Sequence, residues 1–126
     1  MPINSLFGKT FHAIERSLDI TKKRHGLLTS NIANLDTPNY RAKDIDFKDA
    51  LKDALDGISI DLSRTDSHHF GSKTFYAEPS LSESGSVDID IEMSKLAENN
   101  LRYRMSVEVL LRKLSMLKQA IIEGGR

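Results

Sequence analysis

The sequence contains no cysteine and no tryptophan, and its eighteen basic residues are matched by eighteen acidic ones. Without cysteine, the chain can form neither a disulfide framework nor a thiolate metal site. The balanced charge gives no overall field that would draw the chain to nucleic acid or to an anionic membrane. Aromatic residues make up only 6% of the chain, so we expect a mostly aliphatic core. No apolar run approaches the length of a transmembrane helix.

At 126 residues, the chain is long enough for one domain but not for two independent cores. The stretch MPINSLFGK lacks a charged region followed by an apolar one, so we expect no cleaved secretory signal. The charges are segregated along the chain. Residues 1–35 and 93–126 carry twelve basic and five acidic groups, whereas residues 36–92 carry six basic and thirteen acidic groups. The ends are therefore basic and the middle is acidic.

Apolar residues repeat in alternating steps of three and four at both ends of the chain, which is the seam spacing of a coiled coil. The N-terminal seam, which also contains Thr21, is Phe7, Phe11, Ile14, Leu18, His25, Leu28, Ile32 and Leu35. The C-terminal seam, which also contains Ile89, is Met93, Leu96, Asn100, Tyr103, Val107, Leu110, Leu114, Leu117 and Ile121. We predict a mainly α fold in which two long helices pair as an antiparallel coiled-coil hairpin. Parallel pairing between different chains would satisfy the same spacing.

The hairpin prediction divides one domain into an N-terminal helix, a middle segment and a C-terminal helix, at residues 1–36, 37–87 and 88–126. The first helix should begin near Asn4 or Ser5 and end near Asp36, because Pro38 disfavours helical backbone before it. The second should begin after Asp88 or Asp90, whose charges suit a helix N-terminus. Antiparallel pairing would then place Phe7 near Ile121, Leu18 near Leu110, and Leu35 near Met93.

The middle segment is predicted to be small and irregular, with some β structure. Asp46 can cap a short helix through FKDALKDAL, which Gly57 would close. The stretches 58–62 and 73–77 alternate in polarity like paired strands. Residues 78–86, EPSLSESGS, are predicted to form a flexible polar stretch.

Two further features concern what surrounds the seams. His25 should lie close to Asn100 and Tyr103 and form a buried polar layer that fixes the register. Second apolar stripes lie outside the seams, at Leu6, Ala13, Ile20 and Leu27 and at Leu101, Met105, Val109 and Met116. A two-helix hairpin cannot bury both stripes, so we expect each helix to pack against other copies or other proteins as well. A larger core within the chain is the alternative.

No arrangement of residues typical of an enzyme or a cofactor site is present. The stretch DSHHF lacks a second ligand cluster with zinc spacing, so we expect a loop there and no metal. Four aspartates fall on one helix face beside Lys48 and Lys52, which is typical of a solvated surface; they are Asp46, Asp49, Asp53 and Asp56. Residues 22–25, KKRH, are too short and isolated for a nucleic-acid site, so we expect a solvated basic face on the outside of the helix. Phosphate loops, nucleophile elbows and calcium loops are also absent.

The stretch NIANLDTPNY contains the pattern N-x-A-N-x-x-T-P-x-Y, carried by Asn31, Ala33, Asn34, Thr37, Pro38 and Tyr40. This pattern resembles the signature of flagellar basal-body rod and hook proteins. The following RAKDIDF and the C-terminal VDIDIEM, LAENNLRYR and IIEGGR are similar to the proximal-rod branch of that family. The likeness covers well over half the chain and is weakest from Gly57 to Gly85. Such proteins usually have glycine where Asn39 stands, and asparagine tolerates the same positive φ.

The resemblance implies a structural protein with no enzymatic role and no cofactor. It implies export through the flagellar type III system without a cleaved signal, and polymerisation in the proximal axial rod, which transmits torque through the periplasm. The implied partners are copies of itself, other rod subunits, the FliE-type adaptor and the export apparatus, with no nucleic acid and no membrane span. A different axial component of the FlgC type and a soluble coiled-coil adaptor are the alternatives.

The signature suggests a mechanism at the end of the first helix. The amides of Asn31 and Asn34 could satisfy backbone groups where the chain leaves the helix, or bond a neighbouring subunit. Pro38 would fix the exit direction and Tyr40 would anchor it. An ordinary helix stop explains the same residues. The charge segregation further suggests that basic and acidic regions steer head-to-tail stacking of subunits.

Overall fold

The computed structural model describes residues 8–56 and 79–125. Its elements, in order, are α1 (Lys9–Ala33), β1 (Lys43–Ile45), α2 (Phe47–Asp56), β2 (Leu81–Glu83) and α3 (Ile89–Gly124). α1 and α3 pack against each other in antiparallel fashion within one chain, which confirms the predicted mainly α hairpin. The predicted strands at 58–62 and 73–77 and the Gly57 helix end lie outside the described residues.

Aspartates begin two of the helices, as predicted. The side chain of Asp88 accepts the backbone N–H groups of Asp90 at 2.9 Å and Ile91 at 3.4 Å, and so caps α3. Asp46 accepts those of Lys48 at 2.9 Å and Asp49 at 3.1 Å before α2. Each carboxylate also satisfies N–H groups that have no partner inside the helix.

α1 ends earlier than the sequence pattern predicts. Its last residue is Ala33, and the predicted start at Asn4 or Ser5 lies outside the described residues. The N–H of Leu35 bonds the carbonyl of Ile32 at 3.3 Å, three residues back, so the chain tightens as it leaves the helix. Leu35 is therefore turned away from the seam and is 38% exposed, and its predicted seam position is wrong.

The core lies between α1, β1 and α2. Ile20, Ile45 and Ala50 are buried together, and Leu27, Phe47 and Leu51 pack against them. Ile20 and Leu27 belong to the second apolar stripe of α1, so the expectation that this stripe faces other chains is wrong for these two residues. The middle segment supplies the missing partner because the short helix α2 is amphipathic and presents its apolar face to α1.

The register of the two long helices differs from the prediction. The hydroxyl groups of Ser17 and Ser106 lie 2.8 Å apart, and Asn31 bonds Glu92. Leu18 therefore lies level with the region of Ser106, one helical turn before the predicted Leu110. The heptad spacing is compatible with several such registers, and polar bonds between the helices select this one.

α3 turns a different face to α1 than its apolar spacing predicts. Its buried residues, among those described, are Glu92 and Asn99, each one position before the predicted seam residues Met93 and Asn100. Leu96, Val107, Leu110 and Leu117 are half-buried, whereas the predicted seam positions that are exposed are Ile89, Met93, Asn100, Tyr103, Leu114 and Ile121. The seam prediction is wrong for these six because polar side chains, which bond α1, occupy the contact.

The stretch predicted to be flexible contains β2. Leu81–Glu83 pairs antiparallel with Lys43–Ile45, with Ile45 opposite Leu81. The N–H of Ser84 extends this pairing to the carbonyl of Ala42 at 2.9 Å. Leu81–Glu83 thus forms the second strand of the small sheet, because backbone hydrogen bonds need no particular side chain.

Candidate functional site

The chain leaves α1 through a compact turn built from the signature residues. The amide of Asn34 donates to the carbonyl of Ser30 at 2.8 Å, and its oxygen accepts the hydroxyl of Thr37 at 3.1 Å. The N–H of Tyr40 bonds the carbonyl of Thr37 at 3.3 Å. Asn39 has φ of 61°, the left-handed conformation that glycine and asparagine tolerate best. The positive φ anticipated at this position is therefore present.

Asn31 is fully buried where α1, β1 and α3 meet. Its amide nitrogen donates to the carbonyl of Lys43 at 2.8 Å and to a carboxylate oxygen of Glu92 at 2.7 Å. Its amide oxygen accepts the N–H of Lys43 at 3.0 Å and the hydroxyl of Tyr40 at 3.1 Å. All four hydrogen-bonding positions of the amide are used. The side-chain amide of Asn31 therefore bonds both backbone groups of Lys43, as the backbone of a neighbouring strand would. Its bond to Glu92 connects this pair to α3.

The remaining signature residues are less buried. Asn34 and Tyr40 are half-buried, whereas Ala33, Thr37 and Pro38 are exposed. Both asparagine amides thus bond groups within the chain, and the exposed members surround the exit turn on its outer side.

Charged groups continue the contact from Asn31 along the helices. Arg24 forms a two-pronged bond with Asp44, at 2.7 and 3.0 Å. The ammonium of Lys95 lies 3.6 Å from Asp44 and 2.9 Å from Glu92. Arg24 is also 3.9 Å from Glu98. These groups, which we call the ionic network, join all three segments of the chain, because Arg24 is on α1, Asp44 on β1 and Lys95 on α3.

The bond between Arg24 and Asp44 changes the acidity of both groups. Burial alone would raise the pKa of Asp44, but the hydrogen bonds from Arg24 and the N–H of Ile45, together with the charges of Arg24 and Lys95, lower that pKa below its ordinary value. The hydrogen bond with Asp44 raises the pKa of Arg24, against the effect of burial. Each group is thus held in its charged form by the other.

A second polar contact joins the helices further along. The amide of Asn99 donates to the carbonyl of Thr21 at 2.8 Å, and both residues are buried. The three residues predicted to form the polar layer, His25, Asn100 and Tyr103, line an open cavity of about 470 Å³ at this level. Those three side chains are exposed, so the prediction that they form a buried layer is wrong. Thr21 and Asn99 are the buried pair.

The sequence interpretation missed the residues that hold the hairpin together, which are Arg24, Asp44, Glu92, Lys95 and Asn99. A signal for them was present. Arg24 and Asn31 are seven residues apart on α1, and Glu92 and Asn99 are seven apart on α3. Polar residues at heptad spacing beside an apolar seam indicate a polar stripe facing the partner helix.

Apolar side chains cover the solvent side of α3. The predicted second stripe of Leu101, Met105, Val109 and Met116 is exposed, and Met116 is 66% exposed. Leu111 and Ile122 are exposed as well. Exposed apolar patches of this kind are typical of protein–protein contacts. Within the described residues, no helix is both long and apolar enough to cross a membrane, and no group of three possible metal ligands occurs.

Comparison with known proteins identifies the family. The chain is 35% identical over 131 residues to the flagellar basal body rod protein FlgB of Bacillus subtilis. The aligned residues cover 97% of this chain and 99% of that protein. It is 35% identical over 124 residues to FlgB of Aeromonas hydrophila, across 91% of this chain and 94% of that protein. With FlgB of Salmonella typhimurium, the identity is 32% over 127 residues, across 88% of this chain and 91% of that protein. No protein-family model matches the chain. These full-length similarities show that the chain belongs to the FlgB family of flagellar basal body rod proteins.

Proposed function

We propose that this chain enters the flagellar rod by packing the exposed apolar face of α3 against neighbouring subunits. The chain is a structural subunit of the flagellar basal body, in the proximal part of the axial rod, and it associates there with other rod subunits. The proposal concerns which surface makes those contacts. It is supported mainly by the exposed stripe Leu101, Met105, Val109 and Met116.

The interior of the hairpin explains why α3 has this surface to offer. The hydrogen bonds from α3 to α1 are made by Glu92, Asn99 and Ser106. A hydrogen bond contributes only about 1 kcal/mol net, whereas burying a large apolar side chain contributes about 1.5–3 kcal/mol. The apolar side chains of α3 therefore remain available for contacts between subunits, where their burial stabilises the assembly.

We further propose that the protein has no catalytic role and that its partners are copies of itself, other rod proteins, the FliE-type adaptor and the export apparatus. Passage through the flagellar type III system requires an unfolded chain, and a hairpin joined by polar contacts is suited to unfolding. In this proposal the subunit reaches the periplasmic rod without a cleaved signal and transmits torque as part of it. Nucleic acid plays no part.

The test is complementation of motility in a strain of the host bacterium from which the chain's own gene is deleted. Met116→Asp places a charge on the stripe without touching a buried group. We expect it to reduce swimming in soft agar at least tenfold while leaving the circular dichroism and thermal unfolding of the purified protein unchanged. Ser115→Asp, at the neighbouring exposed position, is the matched control and should preserve swimming.

Two outcomes would contradict the proposal. If the deletion strain swims normally, the chain is not a required rod subunit. If Met116→Asp swims as well as Ser115→Asp, this face of α3 does not contact other subunits. A dilute monomer that folds fully and never polymerises with rod proteins would instead support a soluble adaptor.

A further inference from the structure

An apolar groove lies between α2 and α3. Two adjoining cavities of about 420 and 400 Å³ form it. The guanidinium of Arg102 lies 4.7 Å from the centre of the Phe47 ring, and this cation–π contact joins the two helices across the groove. The apolar side chains that line the groove are Phe47, Leu51, Leu55, Leu101 and Met105.

The α2 rim of the groove carries positive charge. Lys48 and Lys52 line it, and no carboxylate among the described residues lies within ion-pair distance of either lysine. Asp56 lies at the end of the same rim. On the α3 side, Arg102 and Glu98 form an ion pair at 2.7 Å and compensate each other. The groove as a whole therefore favours a partner with an apolar surface and negative charge.

The opposite surface occurs at another place on the same molecule, from Leu81 to Met93. Its exposed apolar side chains are Leu81, Ile89, Ile91 and Met93. Its exposed carboxylates are Glu83, Asp88 and Asp90, and no basic residue occurs anywhere from 81 to 93. We call this surface the acidic end. It combines the two properties that the groove favours.

We propose that the groove receives the acidic end of a second copy of this chain. The inference rests on the proposed function, because it presumes that the chain polymerises. One molecule cannot make this contact with itself: Ile89 and Arg102 are thirteen residues apart on one helix, about 20 Å at 1.5 Å per residue. Two different surfaces then meet in each contact, and such head-to-tail contacts generate open filaments or rings rather than closed dimers.

Charge complementarity also gives the contact a direction. Lys48 and Lys52 of one subunit face Asp90 and Glu83 of the next, while like charges would oppose one another if two acidic ends or two grooves met. Opposite charges speed the encounter and disfavour wrong pairings. Ile89, Ile91 and Met93 then supply the apolar contact with Leu51 and Met105.

Cross-linking can test the contact directly, because the chain has no cysteine. Purified Ile91→Cys and Met105→Cys proteins are mixed in equal amounts with a short bismaleimide. We expect the mixed product to exceed either self-product at least fivefold. Ile91→Cys mixed with Glu15→Cys, an exposed position on α1, is the matched control and should give only the level of random collision. A mixed product at that level would overturn the proposal, as would a dominant self-product.

Charge exchange tests the complementarity. Lys52→Glu in the Met105→Cys protein and Asp90→Lys in the Ile91→Cys protein should each lower the mixed product several-fold, and combining the two altered proteins should restore at least half of it. Lys22→Glu, which reverses an exposed charge on α1, should change nothing. If Lys52→Glu has no more effect than Lys22→Glu, the groove is not the docking surface. A chain that restores motility but gives no mixed product overturns this inference and leaves the proposed function intact.

Discussion

α1 and α3 have the same heptad spacing in sequence but different surroundings in the structure. α1 contacts partners on two sides, with Leu28 completely buried and Ile20 packed against β1 and α2. α3 buries two polar residues, Glu92 and Asn99, among those described, and leaves most of its apolar side chains exposed. The comparison teaches that apolar spacing predicts a helix and its stripes, but not which stripe the chain itself will cover.

The largest expected effect comes from removing equal side chains from the two helices. Leu28→Ala removes a leucine that is 0% exposed, and we expect a loss of about 3 kcal/mol in the free energy of unfolding, since buried Leu→Ala changes cost about 2–5 kcal/mol. Leu111→Ala, at a leucine that is 57% exposed on α3, should change it by less than about 0.5 kcal/mol. Urea unfolding followed by circular dichroism measures both.

Equal losses at the two positions would break the comparison, because they would mean that Leu111 is buried in the isolated protein. The same two variants also test the comparison of α1 with α3 in the assembled rod. There, Leu111→Ala should lower assembly more than it lowers the stability of the monomer, if α3 is covered by neighbouring subunits.

The two signature asparagines provide the second comparison. Asn31→Ala leaves one carboxylate oxygen of Glu92 and both backbone groups of Lys43 without their partner, and each buried group left unsatisfied costs about 1–3 kcal/mol. We expect a total loss of roughly 3 kcal/mol. Asn34→Ala removes bonds of a half-buried amide to Ser30 and Thr37 and should cost about 1 kcal/mol. Thermal and urea unfolding should rank the two variants in that order.

Assembly measurements separate the structural role of Asn34 from a contact with a neighbour. Purified Asn34→Ala should polymerise with rod proteins in proportion to its remaining stability. A loss of assembly far beyond the loss of stability would show that this amide also contacts another subunit, and the role within the chain would then be incomplete.

The sequence predicts the elements of this fold better than the way in which they meet. Aspartate caps at Asp46 and Asp88 depend on local chemistry, so they could be read directly from the chain. The positive φ at Asn39 could be anticipated for the same reason. The register could not be, because it depends on bonds between residues 61 and 78 positions apart, such as Asn31 with Glu92 and Asn99 with Thr21.

The candidate site shows the same division. The asparagines of the signature were recognisable as a pattern, but their partners were not. Arg24 was interpreted as part of a solvated basic face, although it is 8% exposed and bonded to Asp44. A charge in the middle of a helix is usually solvated, and only the arrival of β1 beside α1 buries this one. The burial of Arg24 therefore depends on the long-range placement of β1, which the local sequence does not predict.

The ionic network that joins α1 to α3 gives an expected effect on stability that depends on pH. The pKa of Asp44 is lower in the folded protein than its ordinary value of about 3.9, because Arg24 and Lys95 favour the carboxylate. The unfolded chain therefore takes up a proton at this residue before the folded protein does. The stability contributed by Asp44 is fully present above about pH 4 and is lost as the pH falls from there through the lowered pKa of the folded state.

Asp44→Asn should cost about 2 kcal/mol of the free energy of unfolding at neutral pH, in line with hydrogen bonds to charged groups. It should also make the loss of stability toward acid pH less steep. Urea midpoints of both proteins between pH 7 and pH 2.5 measure this, with Asp49→Asn, an exposed aspartate on α2, as the matched control. If Asp44→Asn loses stability toward acid as steeply as the parent protein, the bond to Arg24 does not hold the carboxylate in its charged form.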